Sequence, residues 1–533
     1  MNKPVLILLA DKTTLNPLLI PGDSTALSLR AVDGAGQPLD ISHAPARFTV
    51  STVAASGGVE VARVDGNRLI GLEGGVAEVT TSVSLGGQTL ETSQRFVVRP
   101  FYLEYHKTLV LKLFLGQEKH PNPAWGKRVT FEQALAVIQK VDALTLGIPK
   151  IVYLVGWQAG GHDWGYPEWG PVDPALKRPQ DATALDSLKW LINAAREYHT
   201  TVSLHINMFD AYKSSPLWEE YIQKDVIARN RNGELFVRGE KYHDETVYCV
   251  CYTREWQEGL AQRRIDRLLE MLPELVDGHT IHIDAFHTAW KGYLASAWHG
   301  MKDHGGVTLE SEVETQRQIF RYFRARGIDV TCEGMQSDFV GLQPMIWWFH
   351  KNPRWQMQIP ERLCARGRTT HRAVHDFRFG SSMHGEEIFV QDKDNLPGFL
   401  DQFCRTTLPW YFLSQLERKH LSVFGKLTYS DGVIAGWENF QPVIRRGNLI
   451  LRRGDDIFVP ALWCKEKTIL AYSRKGYTSR EWVLPENWAG VEQVNLSGIT
   501  FSGLVPLENE VKVTGRSIRL SLEPGQAVVI TPK

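Results

Sequence analysis

The sequence predicts an α/β protein: a (β/α)8 barrel over residues 101–417, between an N-terminal β-sandwich, 1–100, and a C-terminal one, 418–533. Three observations predict it. Short β-branched runs bounded by Gly, Pro, Asp and Asn fill the first hundred residues. From about residue 101, strand-like runs alternate with amphipathic helical stretches, the pattern of a parallel sheet wound with helices. Near Leu421 the chain returns to short, turn-bounded runs.

Taken in order, Val5 to Ala10 reads as a first strand. The runs Ala26 to Val32, Arg47 to Val50, Val59 to Val64, Ala77 to Val83 and Gln94 to Val98 follow. Their regular spacing is that of a sandwich. Arg63 to Leu72 resembles the strand–turn–strand of a bacterial immunoglobulin-like repeat. No cluster of titratable residues falls here, so the domain reads as a packing or spacer module. In the barrel region, strands are predicted at Leu109 to Leu115, Ile151 to Trp157, Thr201 to Met208, Thr280 to Ile283, Ile328 to Cys332 and Pro344 to Phe349. Helices are predicted at Phe131 to Leu144 (capped by Thr130), Ala182 to Tyr198, Pro216 to Gln223, Arg254 to Leu272 and Val307 to Arg326. A polar excursion from Asp225 to Thr253 carries the hairpin-like turn Arg231-Asn232-Gly233. The last strands fall between about 370 and 415 and are assigned only as a group.

Composition narrows the function. Hydrophobic content of 43% and charged content of 23% are those of a globular chain. The formal net charge is +0, so no basic surface points to nucleic acid. No run is long enough to span a membrane. The apolar run at the N-terminus is too short for a signal segment, and the six cysteines show no zinc-ribbon spacing. Both points lead to the expectation of free thiols in the cytoplasm; a secreted chain with its signal removed is the alternative. The sequence does not set the oligomeric state. Many of the 17 tryptophans sit beside Gly, Pro, His or Asp, where their rings can wall a sugar face; the alternative is ordinary core packing.

The chemistry gathers at predicted strand ends, where ligands bind in parallel α/β folds. In Ile281-His282-Ile283-Asp284, alternation puts His282 and Asp284 on one face. Asp284 is the leading catalytic candidate; a helix-capping or Arg-paired carboxylate is the alternative. His287 follows one step beyond. On the next strand, Glu333 holds the equivalent place. Two carboxylates on adjacent strand ends are what glycoside hydrolysis needs. Their pKa values must be pushed apart, and Trp347, Trp348 and Trp355 can supply the apolar wall for the acid. After the second strand, Trp157, His162 and Asp163 lie in a Gly-rich aromatic loop suited to sugar hydroxyls. After the third, His205 and Asn207 share a strand face.

These motifs together resemble glycoside hydrolase families 101 and 129, which release α-linked N-acetylgalactosamine. The resemblance rests on Gly156-Trp157-Gln158 with Gly161-His162-Asp163, on His205-Ile206-Asn207, on Ile281-His282-Ile283-Asp284 and on Cys332-Glu333-Gly334. It covers roughly residues 105 to 415. It implies a retaining mechanism with Asp284 as nucleophile and Glu333 as acid/base. It also implies that Asp163 and His205 help hold the terminal sugar. Read from their positions alone, Trp157, His162, Asn207, His282, His287 and Trp348 are further candidate substrate contacts. The spacing from Asp284 to Glu333 is closer to family 129. Compactness and the lack of an evident signal favour an exo-acting, intracellular enzyme. The expected partner is a carbohydrate or glycopeptide. No cofactor or catalytic metal is expected; a structural calcium is compatible. Two rivals remain: a metal hydrolase built on His282, Asp284 and His287, with His205 in reach, and a carbohydrate-binding protein without catalysis.

Overall fold

The computed structural model describes residues 4–10, 18–19, 24–55, 60–98, 101–116, 128–230, 232–242, 245–284, 286, 306–333, 339, 341–346, 357, 365–366, 377–379, 394–507 and 511–533. It divides into two compact units. One holds Met1–Leu103 with the short pieces Gln336–Pro344 and Arg362–Cys364; the other holds the remainder.

The first unit is all-β. Strands Val5–Ala10, Ser24–Val32, Arg68–Gly71 and Ala62–Asp65 form one sheet, with Pro38–Leu39 at its side. Leu18–Leu19, Gln88–Val98, Gly75–Leu85 and Ala46–Ala55 form the other. Leu8, Leu27 and Leu69 from the first sheet share a core with Val79, Phe96 and Val98 from the second. The burial of Gly75–Leu85 alternates along much of its length, as one buried face requires.

Among the described residues of the second unit, seven parallel strands form one sheet in chain order. They are β1 (Leu109–Phe114), β2 (Lys150–Val155), β3 (Thr200–Asn207), β4 (Thr280–Asp284), β5 (Asp329–Cys332), β6 (Met345–Ile346) and β7 (Ala365–Arg366). β1 and β2 are buried at every residue, which explains why they read as unbroken apolar runs instead of alternating ones. The sheet is strongly curled. Lys112 on β1 reaches Glu333, just past β5, at 2.8 Å. In a flat sheet those strands would lie about 19 Å apart, four spacings of about 4.8 Å.

The helix Phe131–Leu144 has the predicted bounds. Thr130 caps it in a reciprocal box with Gln133, and Phe131, Ala134, Ile138 and Val141 are buried. The helix predicted from Arg254 to Leu272 is instead two, Tyr252–Gln257 and Leu260–Met271. The chain breaks at Gly259, which takes φ 71°. The excursion after Asp225 turns at Asn232-Gly233, where the Gly233 N–H donates to the Asn230 carbonyl. It then forms a hairpin, Val237–Tyr242 with Glu245–Cys249, which pairs with Asp210–Ala211 just past β3. Within the stretch 370–415, the described residues from Leu396 to Leu413 are helical, where the sequence suggested strands.

From Arg418 onward the chain is β, an eleven-stranded antiparallel sheet with the pair Tyr477–Val483 and Ser517–Leu522 against it. Phe458 stacks on Trp482 at 4.9 Å across that core. The five described cysteines are free thiols. Among the described residues no helix is long and apolar enough to cross a membrane.

Candidate active site

The site grows from the register of three strands. His205 on β3 lies opposite His282 on β4, and Asn207 opposite Asp284. His282 in turn lies opposite Thr331 on β5, and Ile283 opposite Cys332. One further step brings Asp284 level with Glu333. Alternation sends Ile281 and Ile283 to one face, both fully buried, and His282 and Asp284 to the other.

The side chains are layered by solvent access. Lys112 and His282 are 0% exposed and His205 is 1%; His162, Asp163, Asp284 and Glu333 are each 14–18% exposed. The carboxylates therefore line an opening, and the buried Lys112 ammonium and the two imidazole rings form its floor. The His282 ring lies 5.2 Å from both Tyr153 and His205, and its Nδ1 meets the Thr331 hydroxyl at 2.8 Å. His205 Nε2 is 3.7 Å from Asp284 Oδ1. His162 packs edge-on to His205 and sits 3.2 Å from Asp163 Oδ2.

The two catalytic candidates differ in charge state. Burial pushes Asp284 up, but His205, Lys112 and a hydrogen bond with Glu333 outweigh it and hold Asp284 well below the usual carboxylate range. Burial and the charge on Asp284 push Glu333 up to about 8, against the pull of Lys112. One proton is shared between them, and it resides on Glu333. Burial, with Lys112 adding, lowers His205 to about 4, so its ring is neutral. Burial lifts Asp163 to about 7 against the pull of His162.

The loop after β2 is fastened onto β3. Trp157 Nε1 donates to the His205 carbonyl at 3.0 Å, and Trp169 Nε1 to the Asn207 carbonyl at 2.8 Å. Gly156, at φ 79°, lets the loop fold back against Gly116; a Cβ there would lie 2.3 Å from the Gly116 oxygen.

Residues 122–361 match the model of a family described as endo-alpha-N-acetylgalactosaminidase, glycoside hydrolase family 101. Over that segment the chain resembles this family, and the match supports a glycoside hydrolase. The match includes Asp284 and Glu333 but begins after Lys112. No curated protein matches the chain. Similar solved structures include alpha-N-acetylgalactosaminidase NagBb from Bifidobacterium bifidum. Its Gal-NHAc-DNJ complex aligns at 13% identity over 63% of this chain and 57% of that one, TM-score 0.47. Its GalNAc complex aligns at 10% identity over 83% and 91%, TM-score 0.48. The GH36 alpha-galactosidase AgaA from Geobacillus stearothermophilus aligns at 11% identity over 100% and 75%, TM-score 0.40.

Three sequence candidates are placed differently from expectation. Trp157 is 1% exposed and Asn207 is 0%. The Asn207 carboxamide oxygen accepts from the Phe209 and Asp210 N–H groups, and its nitrogen donates to Asp210. Both residues build the frame instead of offering a face to sugar. His282 likewise lies beneath His205 and away from the opening. His287 and Trp348, with Trp347 and Trp355, lie outside the described residues. Sequence reasoning missed Lys112, although it is the only charged residue in the run Leu-Val-Leu-Lys-Leu-Phe. It also missed the pair Asp210–Arg238, 2.6 Å apart beside the site, because hairpin pairing brings Arg238 there.

Among the described residues two groups have metal-ligand spacing, His205, His282 and Glu333, and His162, Asp163 and Asp284. Neither group combines His282 with Asp284, and the third ligand of the metal-hydrolase rival, His287, lies outside the described residues. In the first group, the Lys112 ammonium already occupies the cation's place on Glu333.

Proposed function

We propose that this chain is a retaining α-N-acetylgalactosaminidase, with Asp284 as nucleophile and Glu333 as acid/base. The observation that carries this reading is the placement of two carboxyls on neighbouring strand ends, Glu333 2.8 Å from Lys112 and Asp284 3.7 Å from His205, surroundings that favour an ionised Asp284 beside a Glu333 that keeps its proton to about 8. Carboxyls on neighbouring strand ends, with strands about 4.8 Å apart, fit the separation of about 5–5.5 Å used in retention better than the 6.5–9.5 Å that admits an inverting water. Asp284 attacks the anomeric carbon as the Glu333 proton passes to the leaving oxygen. Glu333, now a carboxylate, takes a proton from the water that cleaves the glycosyl–Asp284 ester. Asp163 Oδ1 and the Tyr212 hydroxyl are buried without a partner among the described residues, which suits them to receive sugar hydroxyls. The family match supports the N-acetylgalactosamine specificity.

The same reading takes the curled sheet as a (β/α)8 barrel between two β-sandwiches, with divisions near residues 100 and 418. Strand order without reversal supports closure, as does the approach of β7 to the turn Tyr105–Lys107 that leads into β1. A carbohydrate or glycopeptide substrate, cytoplasmic location and a reaction without metal belong to this proposal.

The test is turnover of p-nitrophenyl α- and β-glycosides, including α-N-acetylgalactosaminide alone and extended by galactose, which separates exo from endo action. Asp284→Asn should abolish turnover with the fold intact. Glu333→Gln with added azide should yield the α-configured glycosyl azide, since azide displaces Asp284 from the face that water would otherwise attack. A β-anomer as first product of the wild type, azide rescue in Asp163→Asn instead, or activity lost to a chelator and restored by zinc would overturn the assignment.

A further inference from the structure

We propose that Lys112 is a positioning residue of this reaction, which holds Glu333 by one oxygen and serves as counter-charge to both carboxyls through the cycle. The inference rests on the roles given to Asp284 and Glu333 above. Lys112 stands in the middle of β1, an otherwise apolar and fully buried strand. Its side chain is 0% exposed, and its Nζ crosses the sheet interior to donate to Glu333 Oε1 at 2.8 Å. A lysine buried to that degree is strongly disfavoured unless an anion faces it. Among the described residues, the titratable groups facing Glu333 are Lys112 from β1, His205 from β3, and His282 and Asp284 from β4.

The charge count explains the choice of partner. In the free enzyme Asp284 is ionised and Glu333 protonated, so the pair carries one negative charge. Glycosylation turns Asp284 into a neutral ester and, with loss of its proton to the leaving oxygen, leaves Glu333 as the carboxylate. Water attack returns the proton to Glu333 and the charge to Asp284. The pair thus carries one negative charge in each resting state, and that charge moves between two residues. A fixed cation that touches Glu333 and acts on Asp284 balances it in both positions. By occupying Oε1, Lys112 also leaves the Glu333 proton to Oε2, the other oxygen.

The experiment compares kcat/KM against pH for wild type, Lys112→Met, Lys112→Gln and Lys112→Arg in the full chain, on a substrate it turns over. Removing a nearby positive charge favours the protonated form of each carboxyl. Lys112→Met and Lys112→Gln should therefore move both the acid and the alkaline limb upward, by about 1–3 pH units for a contact this close. Lys112→Arg should leave both limbs near their wild-type positions. Met removes the hydrogen bond and Gln keeps one, so either folded variant suffices to read the charge. Should only Lys112→Arg fold, displaced limbs in that variant would overturn the proposal. A uniform rate loss with unmoved limbs would show that Lys112 only fills space. Azide rescue of Glu333→Gln reports separately on the acid/base assignment. Rescue with unmoved limbs in Lys112→Met sinks the role of Lys112 alone; absence of rescue sinks the reading beneath it.

Discussion

His205 and His282 face each other in register on adjacent parallel strands, their rings stacked 5.2 Å apart at 27°. His205 comes within 3.7 Å of Asp284, while His282 meets the Thr331 hydroxyl at 2.8 Å. Two histidines one strand apart thus have different work: one attends the candidate nucleophile, the other sets the angle of the first. Both are held neutral by burial, since a charged imidazolium there would face its stacked neighbour and the Lys112 charge.

Replacing His205 by Leu removes a partner that keeps Asp284 ionised. The acid limb of kcat/KM should move upward and the rate fall by about 10²-fold, the scale set by mispositioning near the reacting atoms. His282→Leu should leave that limb in place and show itself mainly as lost stability, of about 1–3 kcal/mol from unpaired polar groups. Pairs of pH profiles and urea titrations separate the two. Equal kinetic profiles for both variants would contradict the division.

Glu333 also makes stability depend on pH in a defined direction. The unfolded chain releases this proton near 4.5, while the native protein holds it to about 8. Below 4.5 both states are protonated and nothing is lost. As pH rises from 4.5 to 8 the unfolded state gains by ionising, so the native state loses stability, by a few kcal/mol. Glu333→Gln should unfold at a higher urea concentration than wild type at pH 8, with the gap closing toward pH 4.5. A gap that is constant with pH would show that Glu333 ionises normally in the fold.

The loop after β2 offers a purely steric test. At Gly156, φ is 79° and an added Cβ would meet the Gly116 carbonyl oxygen at 2.3 Å. That contact is with backbone and cannot rotate away. Gly156→Ala should cost more than about 3 kcal/mol and free Trp157 from β3. Gly165 has a similar φ of 70° but nothing within 4 Å, so Gly165→Ala should cost about 1 kcal/mol. Thermal melting of the two variants should differ clearly; equal melting would show that the Gly116 contact relaxes.

The local signals in the sequence were strong where the physics is local. Thr130 with Gln133 marks a helix start because a cap needs only four consecutive residues. The run Ile281-His282-Ile283-Asp284 reveals its two faces because side-chain alternation is a property of one strand. Asp284 and Glu333 were legible as a pair because both stand at the ends of strands that alternate with helices. The break at Gly259 was less legible, since a single glycine is tolerated inside many helices. The helix from Leu396 to Leu413 was obscured by Pro397 and Pro409, each near the start of a helical segment.

By itself, then, the sequence determined the period of each element, the order of β and α regions, and which polar residues stand at strand ends. It did so because backbone hydrogen bonding and side-chain alternation act over a few residues. Only the tertiary structure decided what surrounds those residues. Curling of the sheet carries the Lys112 ammonium from β1 to Glu333, 221 positions away, and hairpin pairing brings Arg238 back onto Asp210. The same packing buries Trp157 and Asn207, which looked like sugar contacts, and makes them supports. Charge balance and solvent access are sums over everything that surrounds a group, and most of those neighbours are distant in the chain.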